Sequence, residues 1–198
     1  KLSKYQLPSL LNDNFKFVGT SSHEKKAILW DKISFDFTKI VEVRKALQLL
    51  LKNQILEINF VESGSIRVPK IQLNNGQVEL LSNMGDGINR ILTIILAMVN
   101  CEKGYLLIDE FENGLHYSVQ EKLWEIIFYL AERLDIQVFA TTHSSDAIRS
   151  FATVLAQQAN APEAGKVIRL QNHDSTIVAV EYTPEELGAA VEFGVEVR

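Results

Sequence analysis

One cysteine, Cys101, stands among 198 residues, so no internal disulfide can form and the chain fits a reducing, cytosolic compartment. With only four prolines and ten glycines, long linkers have little to be built from, and no internal repeat or low-complexity tract appears. Long apolar runs are missing too. The longest, ILTIILAMV at 91–99, falls far short of the roughly 18 residues that a membrane helix requires, and the N-terminus carries no apolar secretory segment. Positive charge is in deficit: 20 Lys and Arg against 25 Asp and Glu give a formal net charge of −5, which argues against a broad non-specific nucleic-acid surface while leaving a local basic patch open. A GxxxxGK[ST] phosphate loop is also absent. What is present is 46% hydrophobic residues, enough for one sizeable core, alone or with a small appended lobe.

Periodicity and punctuation divide the chain into three stretches. Residues 1–26, with Pro8, Asn12, Asp13, Asn14 and the GTSSHEKK run, read as an irregular, polar leading segment. Residues 27–76 read as a helix plus a β arm or lid. Ile40, Val43, Leu47, Leu50 and Leu51 recur at helical spacing over 39–53, which predicts an amphipathic helix. ILEINFV at 55–61 and IRVPKIQL at 66–73 follow as strands, Pro69 assigning the second to an edge, and Asn75-Gly76 marks a turn.

From 77 to 198 helix and strand alternate. The pattern predicts helices over 87–100, 116–134 and 145–159 and strands over 104–108 and 136–141, the signature of a parallel sheet covered on both faces. Leu115, Val119, Leu123, Ile127, Leu130 and Leu134 make the second helix a core element, with Trp124 at its margin. Near the end, KVIRL and TIVAVEY flank residues 171–175 as a hairpin-like pair. Thr183-Pro184-Glu185-Glu186 then opens a last helix with a capping box and proline at its first position, and Gly194 closes it.

Three segments could carry chemistry. In YLLIDEFENGLH at 105–116 an apolar strand runs straight into Asp109 and Glu110, at the strand end where open α/β sheets bind ligands. Such a pair suits nucleotide hydrolysis, the first acid anchoring magnesium and the second polarising the attacking water. It would equally suit a strand that ends in acids because water begins there. One helix later, IQVFATTHS delivers His143 to the same edge, where its ring could donate to a γ-phosphate or be a satisfied imidazole. Before both, LLSNMGDGINRI at 80–91 sets Ser82, Gly85 and Gly87 ahead of a helix whose first amides could meet an anion. An ordinary helix start capped by Asp86 is the alternative. Cys101 has no His or Cys partner, so it suggests neither a metal site nor a nucleophile.

Taken together, LLSNMGDGINRILTIIL, YLLIDEFENGLHYSVQEKLW and VFATTHSSDAI resemble the C-terminal half of ATPases of the ABC-like branch of P-loop proteins. The nearest likeness is to stand-alone bacterial and archaeal AAA-type ATPases related to the RecF, SMC and overcoming-lysogenization-defect groups. The resemblance covers roughly 77–198, including the ending VEFGVEVR. It implies an α/β fold of ABC-ATPase type: a mostly parallel sheet flanked by helices, with a C-terminal β-hairpin and helix. It further implies ATP and Mg2+ as cofactors, Asp109 as the magnesium-coordinating Walker B acid, Glu110 as catalytic base and His143 as switch histidine. Asn113, Gly114, Leu115 and His116 correspond to the loop that reaches across a dimer interface. Ser82 through Gly87 correspond to the signature loop, with either Ser82 or Gly85 at the serine position. The missing phosphate loop makes these residues look like a piece lacking the first half of the ATPase, and Gly19-Thr20-Ser21-Ser22 is no substitute.

The implied partners are that absent half, a second copy meeting it through the signature and dimer-loop faces, and an effector protein or DNA, in DNA transactions or phage defence. Two other readings stay open. One is a regulatory or binding module that never hydrolyses nucleotide. The other is a metal-dependent nuclease using Asp109, Glu110, Glu112 and His116 as hard ligands, which lacks a second acidic cluster.

Overall fold

A computed structural model describes residues 14–20, 26–52, 54–159, 161–173 and 176–192. Three sheets organise them. The central one joins β1 (Phe15–Val18), β5 (Tyr105–Ile108) and β6 (Gln137–Ala140) in the order β1-β5-β6, all parallel. The second is an antiparallel arm of β2 (Ile55–Ser63), β3 (Ile66–Leu73) and β4 (Val78–Leu80), and the third is the hairpin of β7 (Val167–His173) and β8 (Thr176–Tyr182).

Around these sheets run α1 (Lys26–Asp31), α2 (Phe37–Leu50), α3 (Asp86–Val99), α4 (Tyr117–Leu134), α5 (Ser145–Leu155), the single turn α6 (Ala161–Ala164) and α7 (Pro184–Glu192). α3 is apolar nearly all round, and Ile91 through Val99 except Thr93 are core residues, so it lies at the centre of the fold, as an all-apolar helix must. α3 packs on β1 and β5 and α4 on β6, and Val18, Leu106 and Ile108 are buried in the sheet. The fold is the α/β, helix-flanked parallel sheet with a C-terminal hairpin and helix that the sequence implies.

Several expectations change. The leading segment is not irregular throughout: Phe15–Val18 pairs in register with Tyr105–Ile108 and forms an edge of the central sheet. Four residues are too short a run to show a period against polar neighbours. Among the described residues helices cover one sheet face, while on the other Phe15, Phe17 and Phe139 are each about half exposed. β3 is the middle strand of its sheet rather than an edge. Pro69 is tolerated there because β4 pairs only with Lys70–Gln72, so the missing N–H costs that ladder nothing. Trp124 is buried rather than marginal, stacked on Phe111 with ring centroids 4.0 Å apart. The α7 capping box forms as read: Thr183 N–H donates to Glu186 Oε2 at 2.9 Å and Glu186 N–H to Thr183 Oγ1 at 3.2 Å. Gly194, the VEFGVEVR ending beyond Glu192, residues 174–175 and Ser21-Ser22 lie outside the described residues.

Candidate nucleotide site

Parallel pairing of β5 with β6 brings their carboxyl ends side by side, and the residues just beyond them interlock. Thr141 N–H donates to Ile108 O and Phe111 N–H to Thr141 O, at 2.9 and 2.8 Å. The Thr141 hydroxyl donates to Asp109 Oδ1 at 2.8 Å while accepting from Glu110 N–H at 3.0 Å. One side chain on the β6 end therefore fixes both acids of the β5 end. Glu112 spans the same gap in the other direction, its carboxylate accepting from Thr142 Oγ1 at 2.6 Å and from His143 N–H at 3.0 Å. Asp109 and His143 thus lie on neighbouring strand ends, with the Glu112 carboxylate bridging the two segments.

The turn itself is unusual in its backbone. Glu110 adopts φ +48°, the left-handed region that a residue with a Cβ enters at a cost of about 1–2 kcal/mol. Phe111, fully buried against Trp124, anchors the turn from below. Asn113 Nδ2 donates to Glu110 Oε2 at 3.3 Å, and Gly114, at φ +71°, turns the chain toward His116, the N-cap of α4. His116 Nδ1 accepts from Ser118 N–H at 3.3 Å, and its ring packs beside Tyr117.

Arg90, buried within α3, closes the site from the helix side. Nη1 donates to Gly19 O at 3.1 Å, and Nη2 to Asp109 O at 2.8 Å and Glu110 O at 2.9 Å. Burial pulls its guanidinium below the ordinary value against the opposing charges of Glu110, Asp109 and Glu112. The three carboxylates form no ion pair among the described residues. Their hydrogen bonds come from hydroxyls, an amide side chain and backbone N–H groups.

The 82–87 segment starts α3 beside this turn. Ser82 and Gly85 are exposed, and Ser82 belongs to the 3-10 turn Leu81–Met84. Gly85, at φ +104°, is the N-cap and offers no side chain to the first amides, so Asp86 is not the cap. Gly87 meets the 113–116 stretch directly: a Cβ there would lie 3.2 Å from Gly114 O. The segment therefore abuts Gly114 and Leu115.

Magnesium fits the donor set. Asp109 offers a hard oxygen ligand oriented by Thr141, no cation among the described residues forms an ion pair with it, and Mg2+ is commonly held by one or two carboxylates with water and phosphate oxygens completing the shell. No group of three or more His, Cys, Asp or Glu side chains able to hold a metal occurs among the described residues, so the multi-ligand cage of the nuclease reading is not assembled there. No described helix is long and apolar enough to cross a membrane.

Sequence reasoning missed Arg90, Phe111 and Thr141 and took Glu112 only as a metal ligand. Arg90 could have been found, being the only basic residue of a mostly apolar helix and therefore in need of partners. Thr141 carried no signal of its own.

Residues 8–149 match the family model described as "AAA domain, putative AbiEii toxin, Type IV TA system". The chain belongs to this AAA-domain family. A Helicobacter pylori protein named ATP/GTP phosphatase is 30% identical over 138 residues, 68% of this chain. The chain spans only 36% of that relative's length. Among solved structures, a chain from work on ATP-driven dimerization and DNA-stimulated activation of SMC ATPases aligns with TM-score 0.55 at 11% identity, covering 88% of this chain and 99% of that one. The SMC head domain from Thermotoga maritima aligns with TM-score 0.53 at 12% identity over 84% of this chain and 53% of that one. At such identities the likeness concerns the fold alone: the AAA-domain chain shares the fold of these SMC structures.

Proposed function

We propose that this chain supplies the hydrolytic edge of an AAA-type ATPase, with the phosphate-binding loop contributed by a segment outside these 198 residues. The observation that carries this reading is the acidic turn. Asp109, Glu110 and Glu112 gather at the carboxyl end of a parallel strand, oriented by neutral donors and paired with no cation among the described residues. A left-handed backbone at Glu110 adds to it. Glycine or asparagine would be cheaper there, so a glutamate points to its carboxylate as the reason.

In this reading Glu110 accepts the proton of a water attacking the γ-phosphorus, ADP leaves, and the proton passes to solvent or phosphate. The His143 ring donates a hydrogen bond to the γ-phosphate. Asp109 would hold magnesium, which when bound neutralises charge on the β- and γ-phosphate oxygens. The 82–87 helix start and Asn113–His116 face nucleotide on a second protomer. ATP-driven dimerisation is described for an SMC ATPase that shares this fold. A DNA-linked or phage-defence effector and a cytosolic setting complete the proposal.

The test uses the chain alone and combined with the phosphate-loop segment. Alone, it should bind ATP weakly and hydrolyse it negligibly, since most ground-state contacts to the β- and γ-phosphates come from that loop. Combined, it should show magnesium-dependent turnover that Glu110→Gln lowers on the order of a hundredfold or more while ATP still binds. Unchanged turnover in Glu110→Gln would return Glu110 to a solvated strand end and favour the regulatory module.

A further inference from the structure

We infer that Arg90 is a positioning residue for the hydrolytic turn, coupling the start of α3 to the orientation of Glu110. The inference rests on the ATPase reading above.

Arginine buried beside three carboxylates would ordinarily be their counter-ion. Here the guanidinium donates to none of them and gives its Nη hydrogens to the backbone carbonyls of Gly19, Asp109 and Glu110. That choice leaves the carboxylates free for an outside cation while fixing the chain that carries them. Nε, also buried, has no partner among the described residues. Full hydrogen bonding of the guanidinium has given way to the grip on these three carbonyls.

The gripped positions decide where the side chains point. Gly19 follows β1, while Asp109 and Glu110 follow β5, so one planar group ties two strand ends to a helix. Glu110 is the residue with φ +48°, and a conformation of this kind persists only where its surroundings over-determine it. Arg90 holds its carbonyl from one side, and Thr141 holds its N–H from the other. Rotation of that peptide would swing the Glu110 carboxylate away from the water it activates.

Arg90 also lies little more than one helical turn from Gly85, where α3 begins without a side-chain cap. Gly87 packs on Gly114 O, so displacement of the helix start is felt at both ends of the acidic turn. Anything that engages residues 82–87 can thereby set the position of the base.

The experiment compares Arg90→Lys, Arg90→Ala and Glu110→Gln in the ATPase assembled from this chain and its phosphate-loop segment, with kcat and KM for ATP measured separately. Lysine keeps the charge but reaches the three carbonyls with a point donor instead of a planar fork. We expect Arg90→Lys to fold and to lower kcat on the order of tenfold to a hundredfold, the cost of a misplaced catalytic group. Its KM should stay within about twofold. Methylguanidinium should restore part of the rate in Arg90→Ala and none in Glu110→Gln. If Glu110→Gln is inactive while Arg90→Lys turns over at the unmodified rate, or changes only KM, the inference fails and the ATPase reading stands. An unfolded Arg90→Lys chain would assign Arg90 to the fold and also overturn it. Unmodified turnover in Glu110→Gln would defeat the ATPase reading itself.

Discussion

Glu42 and the Asp109–Glu110–Glu112 turn are both acidic, yet the fold supplies cations to one and not to the other. Glu42 is buried between α2 and α4, where its carboxylate accepts from Tyr129 OH at 2.6 Å and pairs with Lys45 at 3.3 Å and Arg133 at 3.5 Å. Burial would raise its pKa, but these bonds and charges outweigh burial and hold it below the ordinary value. Among the described residues the acidic turn has only neutral donors, and the neighbouring Arg90 is committed to backbone. A structural acid brings its counter-charge with it, whereas the acids of the turn, in the function proposed above, take theirs from a ligand.

The contrast can be broken at Glu42 first. Glu42→Ala should destabilise the chain by about 2–3 kcal/mol, because Tyr129 OH loses its acceptor in a partly buried position. Urea unfolding measures it, and a loss below about 0.5 kcal/mol, typical of surface changes, would show the network to be ornamental. The sign with pH follows from the depressed value: stability from Glu42 is present above its unfolded pKa and drains away as pH falls through the folded one. Glu42→Gln should flatten that acid limb.

Cys101 sharpens the rule by giving the opposite case. It is fully buried, forms no ion pair among the described residues, and its Sγ–H donates to Met98 O at 3.4 Å. Burial pushes its thiol from 9.0 up to about 11, with Lys16 and Lys39 pulling slightly back. Above pH 9 the unfolded thiol ionises first, so stability should fall by on the order of 2 kcal/mol toward pH 11. Denaturation midpoints across that range should stay flatter in Cys101→Ala.

Neutralising the acidic turn should have the smallest effect on stability, with the reverse sign. Glu110→Asn suits the left-handed backbone better and removes one of three crowded charges, so it should stabilise the chain by up to about 1 kcal/mol. That corresponds to a melting point about 2–4 °C higher. A clear loss of stability would place Glu110 with Glu42 as a structural acid.

How much of this was legible in the sequence depends on which signal a residue carries. Apolar strand runs that end in polar residues announced Asp109, Glu110 and His143 at one sheet edge, because such a change of character reads locally. Helix extents followed from their stripes to within a few residues. Arg90, Thr141 and Phe111 were silent because their importance lies in partners 19–71 positions away or in a ring stack, which no local period encodes. β1 was hidden for the same reason: only its pairing with β5 makes those four residues a strand.

The open face of the central sheet has a practical consequence. Phe17, Leu107 and Phe139 align across β1, β5 and β6, with Phe15 on the same face, and three of these rings stand about half bare. Such a surface attracts fluorescent hydrophobic dyes in a chain that is still fully folded, a response usually taken as the mark of a molten state. In thermal-shift screens this protein should therefore begin with a high baseline and rise little on unfolding, so its melting is better followed by circular dichroism.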